Sequence, residues 1–314
     1  MEKIVITGGS GFLGANLIHK LNKTNSQIHV ILRPNTNEWR ILKIKNKIKI
    51  HYVDIINEKR ILEILKNINP TIIFHCATYG VNPSQTNFKK ILETNIIGST
   101  NIFSASRNID NIKKIINIGS SFEYDSQKQP VKENDSVSPT TIYGISKAAQ
   151  TNLAQYYSKN FGLPIVTLRI FTPYGRYDSQ GRLFSDLMIS AIKNKKLSVG
   201  MKSSVRDFIH IDDVLDALLL FAKNNKINGI FNIGTGKKMS VEQIIELCER
   251  KLKMNYKISW GSNKNIRKID TISEAVIANM KKTKNTTNWK PKIKIDEGIQ
   301  KSYLWYRKNI ELYE

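Results

Sequence analysis

The first two-thirds of the chain alternates short β-branched runs with stretches of helical periodicity, and this alternation narrows the fold more than any other feature. Residues 3–7, 28–32, 49–53, 71–75, 114–118 and 164–169 each read as a buried strand. Between them, residues 11–21, 58–66, 88–107 and 143–161 space their apolar side chains as helices do. Near-continuous apolar strands separated by helices predict a parallel sheet covered on both faces. Six such units match a doubly wound, Rossmann-type α/β sheet of the kind that takes dinucleotides.

Beyond residue 171 the pattern loosens. Residues 178–182 read as a loop, 182–194 and 212–224 as helices, and 229–233 as a strand. Residues 240–251 read as a helix whose Ser240 and Gln243 have capping-box spacing. We therefore expect residues 1–171 to form the dinucleotide-binding domain. Residues 172–314 would form a smaller α/β substrate lobe, closely packed and with some chain crossing back, because no Pro/Gly/Ser-rich linker intervenes. No internal repeat is visible.

A chain of 314 residues, 40% hydrophobic and 9% aromatic, has enough apolar surface for a large core. Its two cysteines, Cys76 and Cys248, have neither metal-ligand nor redox spacing. We expect no metal site, no disulfide framework and a reducing, cytoplasmic setting. Met1 to Ile6 runs straight into a strand, without the pattern of a signal peptide. No run approaches 18 uncharged apolar residues, so no membrane span is expected. The net charge of +23 comes from scattered lysines without interleaved aromatics, which reads as solvated surface and not as a nucleic-acid footprint.

Thr7 to Gly14 carries glycines at 8, 11 and 14 between the first strand and the first helix. Glycine there lets the backbone turn, approach a pyrophosphate and offer helix N–H groups to it. Arg33 stands at the end of the second strand, where an acid would bind the adenosine ribose. Arginine there would meet a 2′-phosphate, so NADP is favoured over NAD. Asp54, after the third strand, is placed either for the adenine amino group or for an ordinary turn.

Tyr143 and Lys147 lie four apart on a predicted helix, hence on one face. A free phenol has a pKa of about 10, and a neighbouring ammonium is expected to lower it towards the working range. Tyr143 would then give a proton to a ketone oxygen, or take one from an alcohol, while hydride moves at a nicotinamide ring. Ser120 and Ser121 end the fifth strand, where a hydroxyl meets a ligand or caps a turn.

With these motifs in this order the chain resembles the extended short-chain dehydrogenase/reductase family of nucleotide-sugar epimerases, dehydratases and reductases. The likeness runs through His75-Cys76-Ala77, Thr94-Asn95, residues 168–175, residues 205–210 with Asp212-Asp213-Val214, residues 232–236, Trp289-Lys290-Pro291 and Asp296-Glu297-Gly298. It implies a triad of Ser120, Tyr143 and Lys147, the last also on the nicotinamide ribose. It implies cofactor contacts from Gly8, Gly11, Phe12, Leu13, Gly14, Arg33, Asp54, Ile55, Ala77, Asn95, Tyr143 and Lys147, with Asn95 also supporting the active-site helix. Arg206 would meet the diphosphate of a nucleotide sugar. Tyr79, Ser121, Thr172 and Arg182, with Ser84 and Phe184, would lie near the substrate. His75 and Cys76 read as structural. The resemblance also implies a homodimer through the helices at 88–107 and 143–161.

Family dehydratases carry a glutamate two residues before the tyrosine that ends the serine segment; Phe122 stands there. Glu123, one residue later, faces the opposite side if this segment is a strand. Two reactions need only the triad. The first expectation is NAD(P)H-dependent reduction of a nucleotide-linked 4-keto-(6-deoxy)hexose, favoured by Arg33. The alternative is 4-epimerisation with tightly held NAD. A non-catalytic dinucleotide sensor or RNA-binding protein on the same fold is a third possibility, against which the intact triad argues.

Overall fold

The computed structural model describes residues 1–82, 84–124, 129–261 and 276–314. Its central sheet contains β1 (Lys3–Thr7), β2 (Gln27–Leu32), β3 (Lys49–Tyr52), β4 (Ile72–His75), β5 (Lys114–Ser120) and β6 (Ile165–Ile170). All pair in parallel in the order β3-β2-β1-β4-β5-β6. Order reverses between β1 and β4, which opens a crevice at the carboxyl ends of the strands.

Intervening helices cover both faces. They are α1 (Phe12–Leu21), α2 (Glu58–Ile68), α3 (Phe88–Leu92), α4 (Gly98–Ser106) and α5 (Ile142–Phe161). The expected helix at 88–107 is present, but a π-turn at Glu93–Ile97 joins α3 to α4. The extra residue in that turn re-aims the chain locally, and Asn95 sits on it.

Beyond β6 come β7 (Thr172–Tyr174), α6 (Leu183–Lys193), β8 (Leu197–Val199), β9 (Val205–Arg206), β10 (Phe208–His210), α7 (Ile211–Lys223), β11 (Gly229–Ile233), β12 (Met239–Ser240), α8 (Val241–Leu252), β13 (Ile258–Trp260), α9 (Lys281–Thr287) and α10 (Ile295–Lys308). The strand β11 pairs in parallel with β6, so the sheet has seven strands where the sequence pattern showed six. Helix α7 packs with α1 against one sheet face through Val214, Leu218 and Phe221. The chain thus crosses back into the sheet between residues 211 and 233.

One apolar cluster joins α1, α7 and the sheet, and a second joins α2, α4 and α5 to its other face. A third lies in the lobe, where Tyr174, Phe184, Leu187, Ile244 and Tyr306 are buried between α6, α8 and α10. Among the described residues no helix is long and apolar enough to cross a membrane, and no cluster of His, Cys, Asp and Glu is grouped to hold a metal ion.

Candidate active site

Each of the first six strands delivers the residues after its carboxyl end to one cleft of about 640 Å³. Gly8, Gly11, Phe12, Leu13 and Gly14 follow β1; Arg33 follows β2; Asp54 and Ile55 follow β3; Ala77 and Tyr79 follow β4. Gly8 has φ +68°, and a Cβ on Gly14 would lie 2.4 Å from the Gly8 carbonyl oxygen. Only glycine lets the loop fold onto the start of α1, whose N-cap Gly11 brings no capping side chain. Asp54 accepts the Ile56 N–H at 3.3 Å while lining the cleft, so it serves the turn as well as facing the cavity. Arg33 is exposed at the cleft edge.

Tyr143 and Ser120 meet in this cleft. The hydroxyls of Ser120 and Thr78 are the polar groups that act on the Tyr143 hydroxyl. Burial pushes the phenol up, with those two hydroxyls pulling the other way. The expected lowering by Lys147 is therefore corrected here. Lys147 is buried beneath the cleft, and its Nζ donates to the Ile118 carbonyl at 2.5 Å and to the Gln150 Oε1. Burial pushes Lys147 down to about 8, opposed by the charges of Glu123 and Cys76. One ammonium N–H ties α5 to β5 and a second is spent on Gln150 of the same helix, so the lysine is a fixed charge under the site and not a direct partner of the phenol.

Asn95 does not line the cleft, which corrects its place among the cofactor contacts. Its amide donates to the Tyr79 carbonyl and to Ser146 Oγ, both at 2.9 Å, and its oxygen accepts the Tyr79 N–H at 2.8 Å. Ser146 Oγ donates in turn to the Tyr143 carbonyl at 2.7 Å. The π-turn thus pins the loop after β4 to the first turn of the catalytic helix. His75 is structural, as expected. It is enclosed between Thr7 Oγ1 and Ser99 Oγ, both 2.8 Å away, and burial pushes it down to about 3, so it is neutral. Burial likewise pushes the Cys76 thiol up to about 12.

The serine segment is bent, not extended: residues Ser121–Glu123 form a 3-10 turn capped by Ser120, whose Oγ accepts the Phe122 N–H. The bend leaves Phe122 in the cleft, edge-on to Tyr143 with centroids 5.8 Å apart. Glu123 is turned inward and fully buried. One of its oxygens accepts the Ser120 N–H and the other pairs with Arg169, each at 2.7 Å. The only carboxylate of this segment is thus committed to an internal ion pair, and the side chain facing the cavity cannot carry a proton.

On the lobe side Ser121, Thr172, Arg182 and Arg206 line the cleft with Tyr79. Arg182 is held by Asp178 at 3.3 Å and by the Pro173 carbonyl at 3.2 Å. Asp207 points away from Arg206 and is buried, accepting the N–H groups of Thr235, Gly236 and Ala278. Two of the expected substrate neighbours lie elsewhere. Phe184 stacks on Tyr174 in the lobe core, centroids 3.9 Å apart, because the apolar face of α6 turns inward. Ser84 is exposed and hydrogen-bonds Asn82. The cleft also takes in Thr78, Arg40 and the strip from Leu197 to Met201, which sequence reasoning missed. Thr78 follows the strand-end motif at 75–77 and was findable by position; Arg40 and the strip reach the cleft only through tertiary packing.

Known proteins agree with this geometry. The UDP-glucuronate 4-epimerase of Thermodesulfobacterium geofontis is 28% identical, over 99% of this chain and 98% of its own. The solved UDP-glucose 4-epimerase of Thermotoga maritima, with UDP-glucose, shares the fold at a TM-score of 0.89 and 24% identity, over 98% of this chain and 99% of that one. A dTDP-glucose 4,6-dehydratase of Bacillus anthracis, in complex with NAD, matches at a TM-score of 0.87 and 23% identity, over 99% and 98%. A sequence model of one family spans residues 4–234 and takes in the glycine loop, the Ser120–Tyr143 pair and all seven strands of the sheet. The chain belongs to the NAD dependent epimerase/dehydratase family.

Proposed function

We propose that this protein interconverts nucleotide-linked sugars epimeric at C4, using a nicotinamide dinucleotide that stays bound through the cycle. The observation that carries the reading is the composition of the reacting corner: Tyr143 and Ser120 face the cavity, Phe122 fills the neighbouring place, and Glu123 is locked onto Arg169. A tyrosyl proton carrier beside a serine hydroxyl suits oxidation and re-reduction at a single carbon. Among the described residues of the serine segment, no carboxylate faces the cavity to serve as the second acid/base that elimination of water requires. The full-length likeness to a UDP-glucuronate 4-epimerase points the same way.

The glycine cradle fits such a dinucleotide, because Gly14, without a Cβ, lets the Gly8 backbone fold onto the start of α1, whose first residues line the cleft. When bound, the nicotinamide supplies the acceptor and donor of hydride. Tyr143 takes the proton from the C4 hydroxyl and returns it, and Ser120 holds the same oxygen. Lys147, beneath them, keeps a positive charge near the phenolate. Arg206 and Arg182 bind the diphosphate. Residues 1–171 with the returning segment 211–233 form the cofactor unit, and the rest of the lobe reads the sugar and base.

A second reading, reduction of a 4-keto sugar nucleotide with release of oxidised cofactor, is favoured by Arg33. The test is direct. Protein purified without added cofactor is assayed for bound NAD(H), then given UDP-glucose, UDP-glucuronate and 4-keto-6-deoxy sugar nucleotides, with products read by NMR. Retained cofactor and C4 epimers in the absence of added NAD(P)H are expected. Turnover only of keto sugars, stoichiometric with added NADPH, would replace the epimerase reading with the reductase.

A further inference from the structure

We infer that Arg40 is an anion-binding residue for the phosphates of the dinucleotide, an assignment that rests on the dinucleotide reading above. Arg40 lies on the segment between β2 and β3 and lines the cleft beside the glycine loop. Its guanidinium is largely enclosed and lies over the Trp39 ring, 4.4 Å from the centroid. Its hydrogen bonds go to three neutral oxygens: the Tyr177 carbonyl at 2.7 Å, the Ser10 carbonyl at 3.2 Å and Ser179 Oγ at 2.9 Å.

Nearby Asp178 acts on Arg40 by its charge but makes its ion pair with Arg182 and accepts the Ser179 N–H. Among the described residues no carboxylate lies at ion-pair distance from Arg40. A largely enclosed cation whose hydrogen bonds go to neutral oxygens, with its nearest carboxylate paired elsewhere, is stabilised when an anion joins it. Burial already weakens its hold on its proton. Three of its five N–H groups are used. The cavity it borders is the one the glycine loop opens for phosphate, with the hydroxyls of Ser10 and Thr36 alongside. The same side chain connects the glycine loop, through Ser10, to the lobe loop at Tyr177 and Ser179, so charge and closure of the cleft meet in one residue.

The dinucleotide offers this chemistry from its pyrophosphate or from a 2′-phosphate, and two ligands separate these sources. After retained cofactor is stripped and its absence is checked, NAD+ and NADP+ are titrated by calorimetry into the unaltered protein, Arg40→Gln and Arg40→Lys, with ligand-free melting measured for each. Arg40→Gln is expected to weaken binding about tenfold, the scale of one charge-assisted hydrogen bond, with Arg40→Lys intermediate. Equal loss for both ligands assigns the pyrophosphate; loss confined to NADP+ assigns the 2′-phosphate. Unchanged affinity for both in a folded Arg40→Gln protein would overturn the inference alone. Failure of the unaltered protein to bind either dinucleotide would overturn the function it rests on.

Discussion

Tyr143 is pushed up by burial, with the hydroxyls of Ser120 and Thr78 pulling the other way. Replacing it with phenylalanine removes the proton carrier without emptying the space. Tyr143→Phe is expected to lower turnover by about 10²–10⁴ while calorimetry shows nucleotide-sugar binding retained. Lys147, held down to about 8 by burial, is cationic below that pH and neutral above it. A site that needs the cation should therefore lose kcat/KM as pH rises through about 8, the value in the free enzyme. A pH–rate profile flat to pH 10 would show that the charge is not used.

At the scale of elements, the π-turn between α3 and α4 and the 3-10 turn after β5 both aim catalytic groups. Asn95 connects the loop after β4 to α5 through Tyr79 and Ser146. Asn95→Ala leaves buried polar partners unmatched, at a cost of about 1–3 kcal/mol. It is expected to lower kcat more than it raises KM, because the start of α5 loses its brace. Steady-state kinetics with a urea unfolding curve separates the two effects. In the 3-10 turn, Glu123 and Arg169 form an ion pair almost wholly out of water. Arg169→Met strands the carboxylate and is expected to cost about 3–5 kcal/mol of unfolding free energy. The double variant Glu123→Gln with Arg169→Met should regain most of it by denaturant titration, since no buried charge is then left alone.

Across the whole molecule, all five histidines, His19, His29, His51, His75 and His210, are lowered, mainly by burial. His29, beside His51 and near Lys49, falls to about 4. The unfolded chain binds its proton near pH 6.5 and the folded protein only near 4, so stability falls as pH drops through that window. Burial raises Asp178, Asp186, Asp207 and Asp213, which act in the opposite sense. A difference measurement isolates the histidine. His29→Gln should lose less melting temperature than the unaltered protein between pH 6.5 and 4; parallel curves would remove His29 from the acid response.

Apolar runs alternating with helical spacing determined the parallel sheet, because continuous apolar runs and three-to-four-residue periodicity are local and survive in the sequence. The glycine loop and the Tyr143/Lys147 spacing were legible for the same reason: each is set within a single turn or helix. Ser120 was placed by its position at a strand end. Other features were decided by packing between residues far apart in the chain. The pairing of β11 with β6, the inward turn of Glu123 onto Arg169, the commitment of Lys147 to Ile118 and Gln150, and the arrival of Arg40 at the glycine loop all belong here. Local periodicity tells which face of an element is apolar; which distant partner satisfies a buried charge or hydrogen bond depends on the closed three-dimensional arrangement alone.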